Sequence, residues 1–169
     1  MTSQGKLENQ VPLWYSYASL FMGGLATMAV EFAASRLLGN VFGTSNLVWA
    51  VVIGLVLVYL TVGSWLGGKW ADRSPKPGTF YLILALAGAS VALIPMISPP
   101  VLRIAADAFD ALNMPLLAGT FTAVLLLLLV PVTLLGTITP FGLKLMISDT
   151  TTTGKVTGGA SAVSTVGSF

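Results

Sequence analysis

Val124-Leu125-Leu126-Leu127-Leu128-Leu129-Val130 lies inside a run, residues 111–143, that contains no Asp, Glu, Lys or Arg. A helix that is apolar all round has no face to offer to water, and at this length it reads as a membrane span. Three further charge-free runs precede it, residues 9–30, 37–68 and 77–102. Each exceeds the roughly 20 residues needed to cross a hydrocarbon layer about 30 Å thick. The reading is an all-α integral membrane protein with four transmembrane helices, at about 13–38, 46–67, 78–97 and 116–146. Pro131 and Pro140 fall inside the fourth and are expected to kink it.

Composition agrees with the runs. Hydrophobic residues make up 55% of the 169-residue chain and charged residues 8%, and the mean hydropathy is +0.89. Soluble domains carry about 25% charged residues, so a fold of this chain could not cover itself in water. A net charge of +2 is too small for a nucleic-acid footprint. There is no cysteine and no histidine. That removes disulfides, thiolate metal sites, cysteine nucleophiles, the commonest general base and any Ser/His/Asp set. No phosphate-binding glycine loop is present either. The expectation is a chain without a cofactor and without catalysis, whose partners are the bilayer and other membrane helices.

The first apolar run is too long for a signal-peptide core, and no small-x-small cleavage site follows it, so it reads as an uncleaved span. Lys69, Arg73 and Lys76 follow the second span, and Lys144 and Lys155 end or follow the fourth. The segment 39–45 is uncharged, and Arg103 stands alone among cations after the third. The excess of Lys and Arg on one side places the amino-terminal segment 1–12, the 69–77 loop and residues 148–169 in the cytoplasm.

Between the third and fourth spans, Leu102, Ala105, Phe109 and Leu112 repeat at helical spacing while Arg103, Asp107 and Asp110 share the other face. This pattern predicts a short helix at about 100–113 lying in the interface, with a plain polar loop as the alternative. Residues 156–169 are uncharged and rich in Gly, Ala, Ser, Thr and Val. Gly154 and Gly158 give a G-x-x-x-G spacing, so the segment reads as the beginning of a fifth helix or as a flexible tail.

Glu31 and Arg36 are the charges near a span that need a reason. Glu31 falls about two turns before the end of the first predicted span, where an ionisable group costs up to a few kcal/mol unless it is paired or hydrated. It is a candidate intramembrane site for a proton, a cation or a ligand; the alternative is a purely structural pair. Gly63 and Gly67 would let another helix approach closely. Trp65 and Trp70 suit the headgroup belt, with Asp72 and Arg73 in the turn that Pro75 and Pro77 set.

In this order and spacing, Glu31-Phe-Ala-Ala-Ser-Arg36-Leu-Leu-Gly39 and Phe42-Gly43-Thr44-Ser45 resemble the first-helix signature of membrane-bound spermidine synthase-like proteins. Those join a major-facilitator-like helical module to an aminopropyltransferase-like domain. Gly63 to Arg73 is similar to their second-helix ending and to the loop motif of major facilitator transporters, which maps onto Gly67, Asp72 and Arg73. Pro131 through Gly136 to Pro140 is similar to their fourth helix, and Gly154 to Phe169 to the start of the next. Beside the glutamate, where the family usually carries aromatic residues, this chain has Val30, Phe32 and Ala33. Residues of a synthase domain are absent. The resemblance therefore implies the helical module alone, in a bacterial or archaeal cell membrane. Its function is expected to be that of a structural or accessory subunit, or, alternatively, part of a carrier for a small cation such as a polyamine.

Overall fold

The computed structural model describes residues 12–43, 45–112, 116–147 and 153–168. Among these, every regular element is a helix: α1 Leu13–Phe42, α2 Asn46–Arg73, α3 Pro77–Leu112, α4 Leu116–Met146 and α5 Thr153–Gly167. In a hydrocarbon layer each backbone N–H and C=O must be satisfied within its own segment, which leaves the helix as the conformation for an apolar run. Four of the five, α1 to α4, are long and apolar enough to cross a membrane. The chain is an integral, multi-pass membrane protein.

Local chemistry sets the ends. Gly43 closes α1 with φ +84°, a conformation L side chains avoid, and its N–H donates to Gly39 O. Ser45 then caps α2 by accepting from Val48 N at 3.3 Å. Pro77 opens α3 at a position where its missing N–H costs nothing. Spans expected at 13–38 and 46–67 run on to Phe42 and Arg73, because nothing in Leu38–Phe42 or Gly68–Arg73 breaks a helix before these caps.

The separate interfacial helix at 100–113 does not form. Residues 100–112 continue α3 without interruption through Pro95, Pro99 and Pro100. Breaking the helix there would strand several backbone groups, whereas a hydroxyl can offset part of what a proline removes. Pro99 cannot donate to Pro95 O, and Ser98 Oγ reaches that carbonyl in a long 3.5 Å contact. At 36 residues, α3 is about 54 Å long, well over the hydrocarbon thickness. Its polar residues Arg103 and Asp107 are thus carried outward on the extension, both exposed.

α4 is the hub. It packs against α1, α2 and α3, while its contacts with α5, like those between α1 and α3, are few, and it is by far the most enclosed of the four spans. Its closest partner is α2, whose buried residues Val48, Val52, Val56, Tyr59, Gly63, Gly67 and Ala71 form one i, i+4 ridge interrupted by a single step of three. At one end, Leu20 of α1, Phe80 of α3 and Phe141 of α4 are fully buried, with the two phenyl rings stacked at 5.8 Å. Tyr15 and Tyr81 meet edge to face at 5.4 Å beside them, so the starts of α1 and α3 share this end.

Candidate functional site

The α2–α4 seam is built from small residues. A methyl group placed on Gly67 would stand 2.7 Å from both Cα and O of Thr137, and one on Gly63 would collide with Thr133 O. From the other side, a methyl on Gly136 would come within 2.8 Å of Leu60 O. The obstacles are backbone atoms, so no rotamer change relieves them. Pro140 adds a polar clasp: having no N–H, it leaves Gly136 O without its i+4 donor, and Ser64 Oγ donates to that carbonyl at 3.3 Å. The seam ends where Lys144 of α4 meets Asp72 of α2 at 2.8 Å. Both are largely exposed, so the pair adds little beyond register. Of the loop motif, Gly67 and Asp72 bind α2 to α4, whereas Arg73 is exposed at the last turn. Lys69 lies 3.7 Å over the Trp65 ring, adding to the cationic rim at this end.

Glu31 and Arg36 are not brought together. Glu31 is half-buried and lines a small cleft of about 190 Å³ with Met28, Phe32 and Trp49. Arg36 is exposed, and neither has an ion-pair partner among the described residues. Because α1 runs on to Phe42, Glu31 stands 11 residues from its end, about three turns rather than two. A carboxylate walled by aromatic and thioether groups is chemically suited to a lipophilic or quaternary cation.

The glycines expected to pack the last segment divide unevenly. Gly154 and Gly158 have nothing within 4 Å of where a side chain would start. The close approach of α5 to α1 is made by Gly24, against Ser164 O, and by Gly167, against Phe21 O. The helical spacing is real, but the register that α1 selects is offset from the G-x-x-x-G pair.

A second cleft was not legible in the sequence. A cleft of about 520 Å³ opens between α1, α3 and α4, lined by Ala29, Ala33 and Leu37, by Val91, Ile94 and Pro95, and by Val124, Leu127 and Leu128. Ser98 is its one polar lining side chain. Ala29 and Ala33 are exposed along its wall. No group of three or more metal-ligating residues occurs among the described residues.

No family model, no curated protein and no solved structure matches this chain.

Proposed function

We propose that the chain is a non-catalytic, multi-pass membrane module serving as a structural or accessory subunit of a larger membrane assembly, with its amino terminus in the cytoplasm. The observation that carries the reading is the chemistry of the cleft between α1, α3 and α4, which is aliphatic on all three walls and offers a single hydroxyl. A carrier for a cation needs carboxylates or carbonyls converging on its central cavity. The rigid seam of Gly63, Gly67 and Gly136 supports a scaffold more than a rocking element, since backbones in direct contact resist sliding. The orientation is supported by Lys69, Arg73 and Lys144 at one end of the bundle, where Asp72 pairs with Lys144. The kinship with the helical module of spermidine synthase-like proteins belongs to the same proposal and rests on its motifs.

The second reading, part of a major-facilitator-like carrier for a small cation such as a polyamine, is favoured by Glu31 beside Trp49. Purification from the native membrane in mild detergent separates the two. The module reading expects a partner membrane protein at fixed stoichiometry. Uptake of a labelled polyamine by liposomes containing this chain alone, abolished by Glu31→Gln, would overturn it.

A further inference from the structure

The cleft between α1, α3 and α4 lies within membrane-spanning segments, and α1 and α3 hardly touch, so it opens sideways toward lipid. Water is a poor occupant, because a bound water needs two to four polar partners and this lining supplies one hydroxyl. Left unfilled, the walls would forgo their dispersion contacts. At about 520 Å³ the cleft is some three to four times the ~150 Å³ that accommodates one benzene ring, the size of a single long acyl chain. Beyond the lining residues, the two outer helices each carry one arginine. Arg36 stands one turn past Ala33 on α1, and Arg103 one turn past Pro99 on α3; both helices run in the same direction. Both arginines are exposed and neither has an acidic partner among the described residues.

We infer that this cleft binds one acyl chain of a membrane phospholipid, whose phosphate is met by Arg36 and Arg103. The inference holds whether the chain is a module or part of a carrier. Apolar matching alone gives no preference over bulk lipid, since lipid tails are as apolar as the walls. Selectivity comes from the fit against Ala29 and Ala33 and from guanidinium–phosphate hydrogen bonds.

The test is native mass spectrometry of the full chain, released from mild detergent after titration with dioleoyl phosphatidylglycerol and, separately, dioleoylglycerol. The wild type should retain one tightly held phosphatidylglycerol. Ala33→Trp, which fills the cleft, should weaken retention of both lipids by about tenfold or more. Arg36→Gln with Arg103→Gln should weaken only the phospholipid, again by about tenfold. Should Ala33→Trp not give a monodisperse protein, Val91→Trp fills the cleft from the opposite wall. The arginine pair, being exposed, reports in any case. Undiminished phosphatidylglycerol retention in either the filled or the arginine variants overturns the proposal. So does a dimer that Ala33→Trp abolishes, which would give the cleft to a second copy of the chain.

Discussion

Replacing glycine by alanine along α2 should divide its glycines into two classes. Ordinary van der Waals contact begins at about 3.4 Å, and a methyl on Gly67 would lie 2.7 Å from Thr137 Cα and O. Gly67→Ala must therefore open the seam by about 0.7 Å, since both obstacles are backbone and cannot rotate away. A radial gap of 0.5–1 Å forfeits roughly a quarter to a half of each dispersion contact it separates. Forced overpacking of this kind costs about 1–3 kcal/mol. The gain in helix propensity on leaving glycine is about 1 kcal/mol or less, so the net effect at Gly63 and Gly67 is a loss of up to about 2 kcal/mol. Once one methyl has parted the helices, the second meets less resistance, so the double variant should lose less than the sum. Gly54 and Gly68, on the same helix, have nothing within 4 Å. Their alanine variants should be neutral or up to about 1 kcal/mol more stable. The assay is reversible unfolding in mixed micelles, followed by far-UV circular dichroism. Equal losses at all four positions, or no loss at Gly67, would refute the close-packed seam.

Three other outcomes follow from particular contacts. Ser64→Ala removes the donor that Gly136 O receives in place of the Pro140 amide; a loss of about 0.6–1.7 kcal/mol in the same unfolding assay is expected, and Pro140→Ala in that background should recover part of it. Gly24→Ala, which collides with Ser164 O, should release α5 from α1, whereas Gly158→Ala, which meets nothing, should not; hydrogen exchange of α5 amides reads the difference. Glu31→Gln breaks no ion pair among the described residues, so stability should change by no more than about 0.5 kcal/mol; a loss of several kcal/mol in the unfolding assay would reveal a structural partner for Glu31.

Much of the fold was legible because lipid simplifies the problem. Hydrophobic length alone located all four spans, and Gly63 with Gly67 marked the seam, since small residues four apart on a span let backbones meet. What the sequence concealed turned on non-local effects. The third span was expected to end at about residue 97, with a separate helix from about 100, yet the Ser98 hydroxyl and the cost of unsatisfied backbone keep α3 continuous past Pro99 and Pro100. Small residues such as Ala29 and Ala33 suit a helix contact or a cleft wall equally, and only the arrangement of α1, α3 and α4 makes them a cleft wall. Gly154 and Gly158 show the reverse: the correct motif type on a helix whose docked face lies elsewhere. For Glu31 the sequence identified a carboxylate in need of surroundings, and the fold supplied Trp49 rather than Arg36.

The central claim, four antiparallel spans whose α2–α3 and α4–α5 connections share one side, can be tested without background labelling because the chain contains no cysteine. Single cysteines at Ser45, Ser74 and Ile147 would be probed in intact cells with a membrane-impermeant maleimide, then again after permeabilisation. Ser45→Cys should label at once, and Ser74→Cys and Ile147→Cys only after permeabilisation. Labelling of Ser45→Cys and Ser74→Cys from the same side would contradict the arrangement.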